Sequence, residues 1–580
     1  MASWWKRAGR RAAVLALGSA LAAPSLLASC TPHPGGEAQK APPQESSGGG
    51  RSALSAFLAG RLAQADGDTR AAAEYYTQAL KYDPENVDLL QRAFTLLVAE
   101  GRMEEAWPLA DRLLAFDSDA PIPLLVAGLR NAREGRFAEA EARFAELPKR
   151  GVFGFLAPLM AAWSKAGAGQ TDQAVEALAP LSAIQGLGPM RAFHAGLIND
   201  VADRAQAAEE NYLAALDGAL SIRSVEAAGA FYQRSGRSEK ARALYDRYSG
   251  AHPESMLFDG PRLLAAGSAI NRPVADAKAG MAEALVDMAS LMRQGNALDM
   301  AMVFSRLTLA LQPDFALAQL NVADILASQG RFAESNAAYA AIPADSPAAE
   351  FGRLRSAMNL EEMGQTDAAL EALDALAKAR PDELDALITK GDVLRRKQRF
   401  AEAAVAYDAA IRRIKAVETH HWPLLYSRGI AYERSGAWPK AEADFKKALE
   451  LKPDQPDVLN YLGYSWIDKG MHLAEARAMI EKAVSLRPRD GAIVDSLGWA
   501  LYRMGEFQNA VKVLERAVEL KPEDPTINDH LGDAYYQVGR VEEASFQWKR
   551  ALSLNPEPEQ LDTLREKVET GQLPAKPLAQ

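Results

Sequence analysis

Few residues in this 580-residue chain stand where they could do covalent or metal chemistry. Cys30 is the single cysteine, so no internal disulfide, cysteine zinc site or dithiol redox motif can form. His420 and His421 are adjacent, and neighbours on a helix point about 100° apart, which keeps them from gripping one metal together. Asp66-Gly67-Asp68 has the start of a calcium loop but neither the later glycine nor the closing glutamate. Gly167-Ala168-Gly169 follows no strand, and no H-E-x-x-H, nucleophile elbow or phosphate-binding lysine loop occurs. The expectation is of no catalytic residue, no cofactor, no metal and no small-molecule substrate.

What remains is recognition chemistry. Asn460, Asp495 and Asp529 are spaced by 35 and 34 residues; Tyr464, Trp499 and Asp533 follow each by four, and Ile467, Tyr502 and Tyr536 come three further on. Residues three or four apart share a helical face, so this set would line one wall with carboxylates, an amide and rings. Such a wall suits an extended or helical peptide bearing Lys, Arg and apolar anchors. The alternative is that the rings, Trp466 above all, pack between helices while the carboxylates are merely solvated.

The elements that must carry this wall repeat. "WPLLYSRGIAYERSGAWPKAEADFKKALELKPDQ" (422–455) and "PTINDHLGDAYYQVGRVEEASFQWKRALSLNPEP" (525–558) share one plan. Each has a helix with a central glycine (Gly429, Gly532), a glycine turn (Gly436, Gly539) and a second helix holding an alanine (Ala441, Ala544). An aromatic follows four residues later (Phe445, Trp548), and a proline closes the unit (Pro453, Pro556). The alanine can be followed from Ala72 to Ala544 at steps of 33–35, broken by 60 between Ala241 and Ala301 and 38 between Ala403 and Ala441; Ser335 replaces it once. Antiparallel helices approach closely only where side chains are small, hence glycines in first helices with alanines opposite. The rings then fill the space beside those contacts, and proline stops the second helix. Each hairpin keeps one apolar face until the next stacks on it.

This pattern resembles the tetratricopeptide repeat, closely over 422–558 and in phase but degenerate before that. The resemblance implies an all-α fold: an α-solenoid, wound as a right-handed superhelix of about fourteen helical hairpins, with a concave groove lined mainly by first helices. Some members bind acidic chaperone tails through a basic clamp; Asp495 and Asp529 fall where that clamp needs basic groups, which counts against such a function. "EQLDTLREKVETG" after Pro558 reads as a capping helix. The organisation expected is a signal peptide (1–29), Cys30 with a tether (30–50), an N-terminal block (51–253), a spacer (254–281), middle units (282–415), C-terminal units (416–558), and a capping helix with its tail (559–580). The spacer either breaks the solenoid or is a degenerate connecting hairpin.

Composition narrows the partners. Asp and Glu exceed Lys and Arg by 76 to 66, a formal charge of −10, without long blocks of one sign. That balance argues against nucleic acid, which needs a basic stripe to replace phosphate counterions. At the amino terminus, Lys6, Arg7, Arg10 and Arg11 precede the uncharged "AAVLALGSALAAPSLLAS", the order of a secretory signal peptide. Leu27-Ala28-Ser29-Cys30 resembles the lipobox of bacterial lipoproteins, which implies cleavage before Cys30 and lipid on its sulfur. Thr31, where inner-membrane lipoproteins often carry aspartate, favours the outer membrane. Residues 31–50, rich in Pro, Gly and Ser, read as a flexible tether of roughly 25 Å end to end. The function expected is that of a non-enzymatic scaffold for envelope proteins or peptides on the periplasmic face of the outer membrane. The alternatives are a regulator of an envelope enzyme such as a peptidoglycan synthase, or a pilus or secretion assembly factor.

Overall fold

The computed structural model describes residues 52–574 apart from 218, 219, 253, 254 and 382. Cys30, the signal-like segment, the tether and residues 575–580 lie outside the described residues. Those residues form thirty α-helices and three short 3-10 helices, with no strand among them. The helices pair into fourteen hairpins, leaving Gly260–Ala265 in the spacer and Pro558–Thr570 at the end.

One hairpin shows why the repeat folds as it does. Trp422–Arg434 and Trp438–Leu451 are joined through Gly436, whose φ of +83° is open to glycine at little cost. Midway along the first helix, a Cβ on Gly429 would lie 2.6 Å from the ring of Phe445. The ring therefore sits over the glycine rather than beside it, a closer fit than spacing alone suggests. Every rung of the ladder from Ala72 to Ala544 is fully buried, and Ser335 satisfies its hydroxyl by donating to the Ala323 carbonyl at 2.8 Å.

Contacts group the described residues into two compact units, 52–372 and 373–574, dividing within the helix Thr366–Ala379. In each, consecutive first helices pack on one another more closely than second helices do, so first helices line the inside of the curve.

In the first unit that inside is filled by the chain itself. After the sixth hairpin the spacer forms Gly260–Ala265 and a 3-10 turn, Gly267–Ala269, then leads into the long helix Ala277–Gln294. This helix packs on the first helices Gly151–Gly167 and Gly188–Val201, while its partner Leu298–Leu311 packs on Val87–Ala99 and Pro121–Arg133. Gly280 permits the approach, since a Cβ there would meet the Trp163 indole at 2.2 Å. Polar groups hold the register. Trp163 Nε1 donates to His194 Nδ1 at 3.0 Å, which leaves the ring proton on Nε2, 3.1 Å from Asp287 Oδ2. Arg223 grips the fully buried Glu283 through two hydrogen bonds of 2.6 and 2.9 Å. Further on, Arg331 forms a two-point pair with Glu100 at 2.9 and 3.0 Å. The spacer thus redirects the seventh hairpin into the curve of the earlier ones.

Candidate functional site

In the second unit the wall is built by the first helices Pro456–Lys469, Gly491–Arg503 and Pro525–Gln537, with Pro558–Thr570 in the place of a further first helix. Their starts are fixed locally. Asp490 and Asp524 accept hydrogen bonds from the backbone N–H groups of Ala492 and Ile493, and of Thr526 and Ile527. Proline stands in the first turn of the other two.

The structure gathers the singled-out residues into two polar clusters. In the first, buried Asp495 holds His530, a neighbour on the next helix, with Nδ1 at 3.0 and 3.1 Å from the two carboxylate oxygens. Burial disfavours the imidazolium, but Asp495, by charge and hydrogen bond, then Asp529 and Asp533, raise the His530 pKa above its ordinary value. Trp499 stacks between rings: His530 at 4.0 Å and 14°, and Tyr502 at 4.8 Å and 10°. Tyr464 adjoins this cluster; burial, then the charges of Asp495 and Asp468, push its hydroxyl pKa far up, so it stays protonated.

In the second cluster Lys567 of the capping helix reaches Asp529 at 2.8 Å and Asp533 at 2.7 Å. Asp533 also accepts from Trp548 Nε1 at 2.9 Å. Burial, then the neighbouring charge of Asp529, push Asp533 up to about 6. Burial works against the Lys567 charge, but Asp529 and Asp533 outweigh it and hold its pKa above the ordinary lysine value. Tyr536 packs obliquely on Trp548 with ring centres 5.8 Å apart.

Other residues of the set serve elsewhere. Trp466 and Ile467 are buried in the packing, and the Trp466 indole donates to Glu442 Oε1 at 3.2 Å on the preceding hairpin. Asn460 is buried and its Oδ1 has no partner among the described residues; the same holds for Trp499 Nε1. These two groups are an acceptor and a donor left without a bond.

His530 and Lys567 are partners of the singled-out carboxylates that the acidic and aromatic columns alone do not show. Their signal is the repeat itself, since His530 lies 35 residues after Asp495 and Lys567 lies 34 after Asp533. Continuing the ladder one helix past the last full unit finds the lysine.

The other motifs resolve as turns. Asp66 ends a helix, Gly67 turns with φ +79°, and Asp68 caps the next helix by accepting from the Ala71 N–H. Gly169 is likewise a turn glycine at φ +78°. His421 Nδ1 accepts from the Glu418 N–H at 2.9 Å. Among the described residues no group of three or more His, Cys, Asp or Glu is arranged for a metal, and no helix is long and apolar enough to cross a membrane.

Stacked helical hairpins at a 34-residue step define an α-solenoid over the described residues. Models described as tetratricopeptide repeat match residues 63–127, 354–418 and 422–455, and one described as TPR repeat matches 498–539; the chain is a tetratricopeptide-repeat protein. A TPR repeat-containing protein of Pseudomonas aeruginosa is 30% identical over 159 residues, spanning 27% of this chain and only 26% of that relative. Among solved structures, a tetratricopeptide repeat protein from Parabacteroides merdae is 15% identical over 50% of this chain and 98% of its own, with a TM-score of 0.34. The Cut9–Hcn1 hetero-tetramer of the APC/C is 12% identical over 88% of this chain and 96% of its own, with a TM-score of 0.37. Tetratricopeptide repeats are scaffolds for protein–protein interaction, and none of the matching family models is catalytic.

Proposed function

We propose that this protein is a lipoprotein of the outer membrane, anchored through Cys30 and facing the periplasm, that holds a peptide segment of an envelope protein against the 456–570 wall. Anchoring rests on Leu27-Ala28-Ser29-Cys30 at the end of a positively charged, then apolar, leader. Confinement to a membrane raises the effective concentration of membrane-bound partners, so modest affinity suffices.

The observation that carries the binding reading is the stack of Trp499 on Tyr502, two half-buried rings on the wall. The Tyr502 and Trp499 rings offer apolar and aromatic contact to a peptide side chain, whereas Asn460 Oδ1 and Trp499 Nε1 are shielded from solvent and take no part. The carboxylates are already occupied: Asp495 by His530, Asp529 and Asp533 by Lys567. The ligand is therefore recognised through apolar or aromatic anchors rather than through lysine or arginine.

Two experiments test the two halves. Cys30→Ala is expected to abolish lipid modification and outer-membrane fractionation; a lipid-modified mass retained in that variant contradicts the anchor. Trp499→Ala is expected to reduce partner crosslinking in cells at least about tenfold, for a lost aromatic anchor, with helical circular dichroism unchanged. Undiminished crosslinking removes the wall from the binding account.

A further inference from the structure

The helix Ala53–Ala65 opens the array with nothing stacked before it among the described residues. One side is committed to the fold: Ala56 and Gly60 are buried, and a Cβ on Gly60 would lie 3.1 Å from the Tyr76 ring. On the outer side Leu54, Leu58 and Leu62 are 64%, 53% and 65% exposed. Their i, i+4, i+8 spacing aligns them in one stripe. Other exposed large apolar side chains among the described residues occur no more than two to a helix. Terminal units of a solenoid ordinarily carry a polar outer face, as Pro558–Thr570 does with exposed Asp562 and Arg565. The amino-terminal helix does the opposite.

Three observations indicate what covers it. Residues 31–50 contain no Leu, Ile, Val, Met, Phe, Tyr or Trp, so this stretch cannot supply an apolar partner. Between 51 and 65 the charged residues are Arg51 and Arg61 alone, in a chain of net charge −10. Finally, the stripe begins only 24 residues after Cys30, the anchoring position proposed above. An apolar stripe flanked by arginines and free of carboxylates matches the boundary between acyl chains and anionic headgroups.

We infer that Leu54, Leu58 and Leu62 form a membrane-contact face that lies on an anionic bilayer, with Arg61 directed to phosphate groups. Leu54 to Leu62 spans about 12 Å along the helix, long enough to lie in the interface and too short to cross it. Three leucines bind weakly alone; the anchor makes the contact effectively intramolecular. The inference rests on the Cys30 reading for proximity, not for the chemistry of the face.

The test uses the polypeptide from residue 31 onward, which retains every described residue and lacks the cysteine, with vesicles of phosphatidylethanolamine and phosphatidylglycerol. Cosedimentation is expected at low salt, and replacing the three leucines by serine (L54S, L58S, L62S) is expected to lower the bound fraction at least about tenfold while leaving the melting curve unchanged. Absence of wild-type cosedimentation overturns the inference, as does binding indifferent to the serines. A wild-type dimer dissolved by the serines, without vesicle binding, assigns the face to a second copy and also overturns it. Whether Cys30 is lipid-modified in cells is read separately by mass, so loss of the anchor reading leaves the vesicle result standing.

Discussion

His530 shows most clearly how one side chain can turn a set of carboxylates from a ligand site into part of the wall. Its pKa is raised, with burial opposing and Asp495 foremost among the groups that raise it. A folded-state value above the unfolded 6.5 means that the pairing stabilises fully below 6.5 and fades as pH rises through the folded value. Asp495→Asn is therefore expected to lower the melting temperature more at pH 5.5 than at pH 8.5; equal losses at both would contradict a charged pair. Lys567 makes the companion case. Lys567→Met leaves buried Asp533 and half-buried Asp529 without their cation, at a cost of about 3–5 kcal/mol. Hydrogen exchange should quicken first in the helix Pro558–Thr570.

Helices in this protein are set by contacts between a few small residues and one ring. Gly429→Ala forces a methyl to within 2.6 Å of Phe445 and is expected to cost about 1–3 kcal/mol by overpacking, read from denaturant melts. Removing the ring as well, in a Gly429→Ala, Phe445→Leu variant, should cost less than the two single changes added together, because the clash disappears. This part of the fold was legible, since the glycine, alanine and ring of each hairpin lie close in sequence and recur in phase. The two clusters in the wall were half legible. Asp495, Trp499 and Asp533 stand in repeat columns, whereas their partners His530 and Lys567 break the acidic and aromatic pattern and emerge only when helices one repeat apart are set side by side.

The two units give the molecule its larger organisation. Helix Ala277–Gln294 fills the curve of the first unit through Gly280 on Trp163 and Glu283 on Arg223. Neither pair was legible in the sequence: the partners are 117 and 60 residues apart and outside the repeat columns, so nothing local marks them. Glu283→Ala strands the Arg223 guanidinium in a buried site that retains only Glu226, and is expected to destabilise the first unit by about 3–5 kcal/mol. Lys567→Met should act on the second unit alone. Differential scanning calorimetry with both variants should move separate parts of the unfolding profile, and one shared shift would contradict independent cores. On the proposal above, binding falls to the second unit, where Trp499 and Tyr502 stack on the wall.

That proposal is tested most directly by a photo-crosslinking amino acid in the full-length protein in living cells, placed at Tyr502 on the wall and, as a control, at Lys482 on a second helix. The account predicts a discrete adduct with an envelope protein from position 502, lost when Trp499 is changed to alanine, and none from 482. No adduct at 502, or the same adducts from both positions, would contradict it.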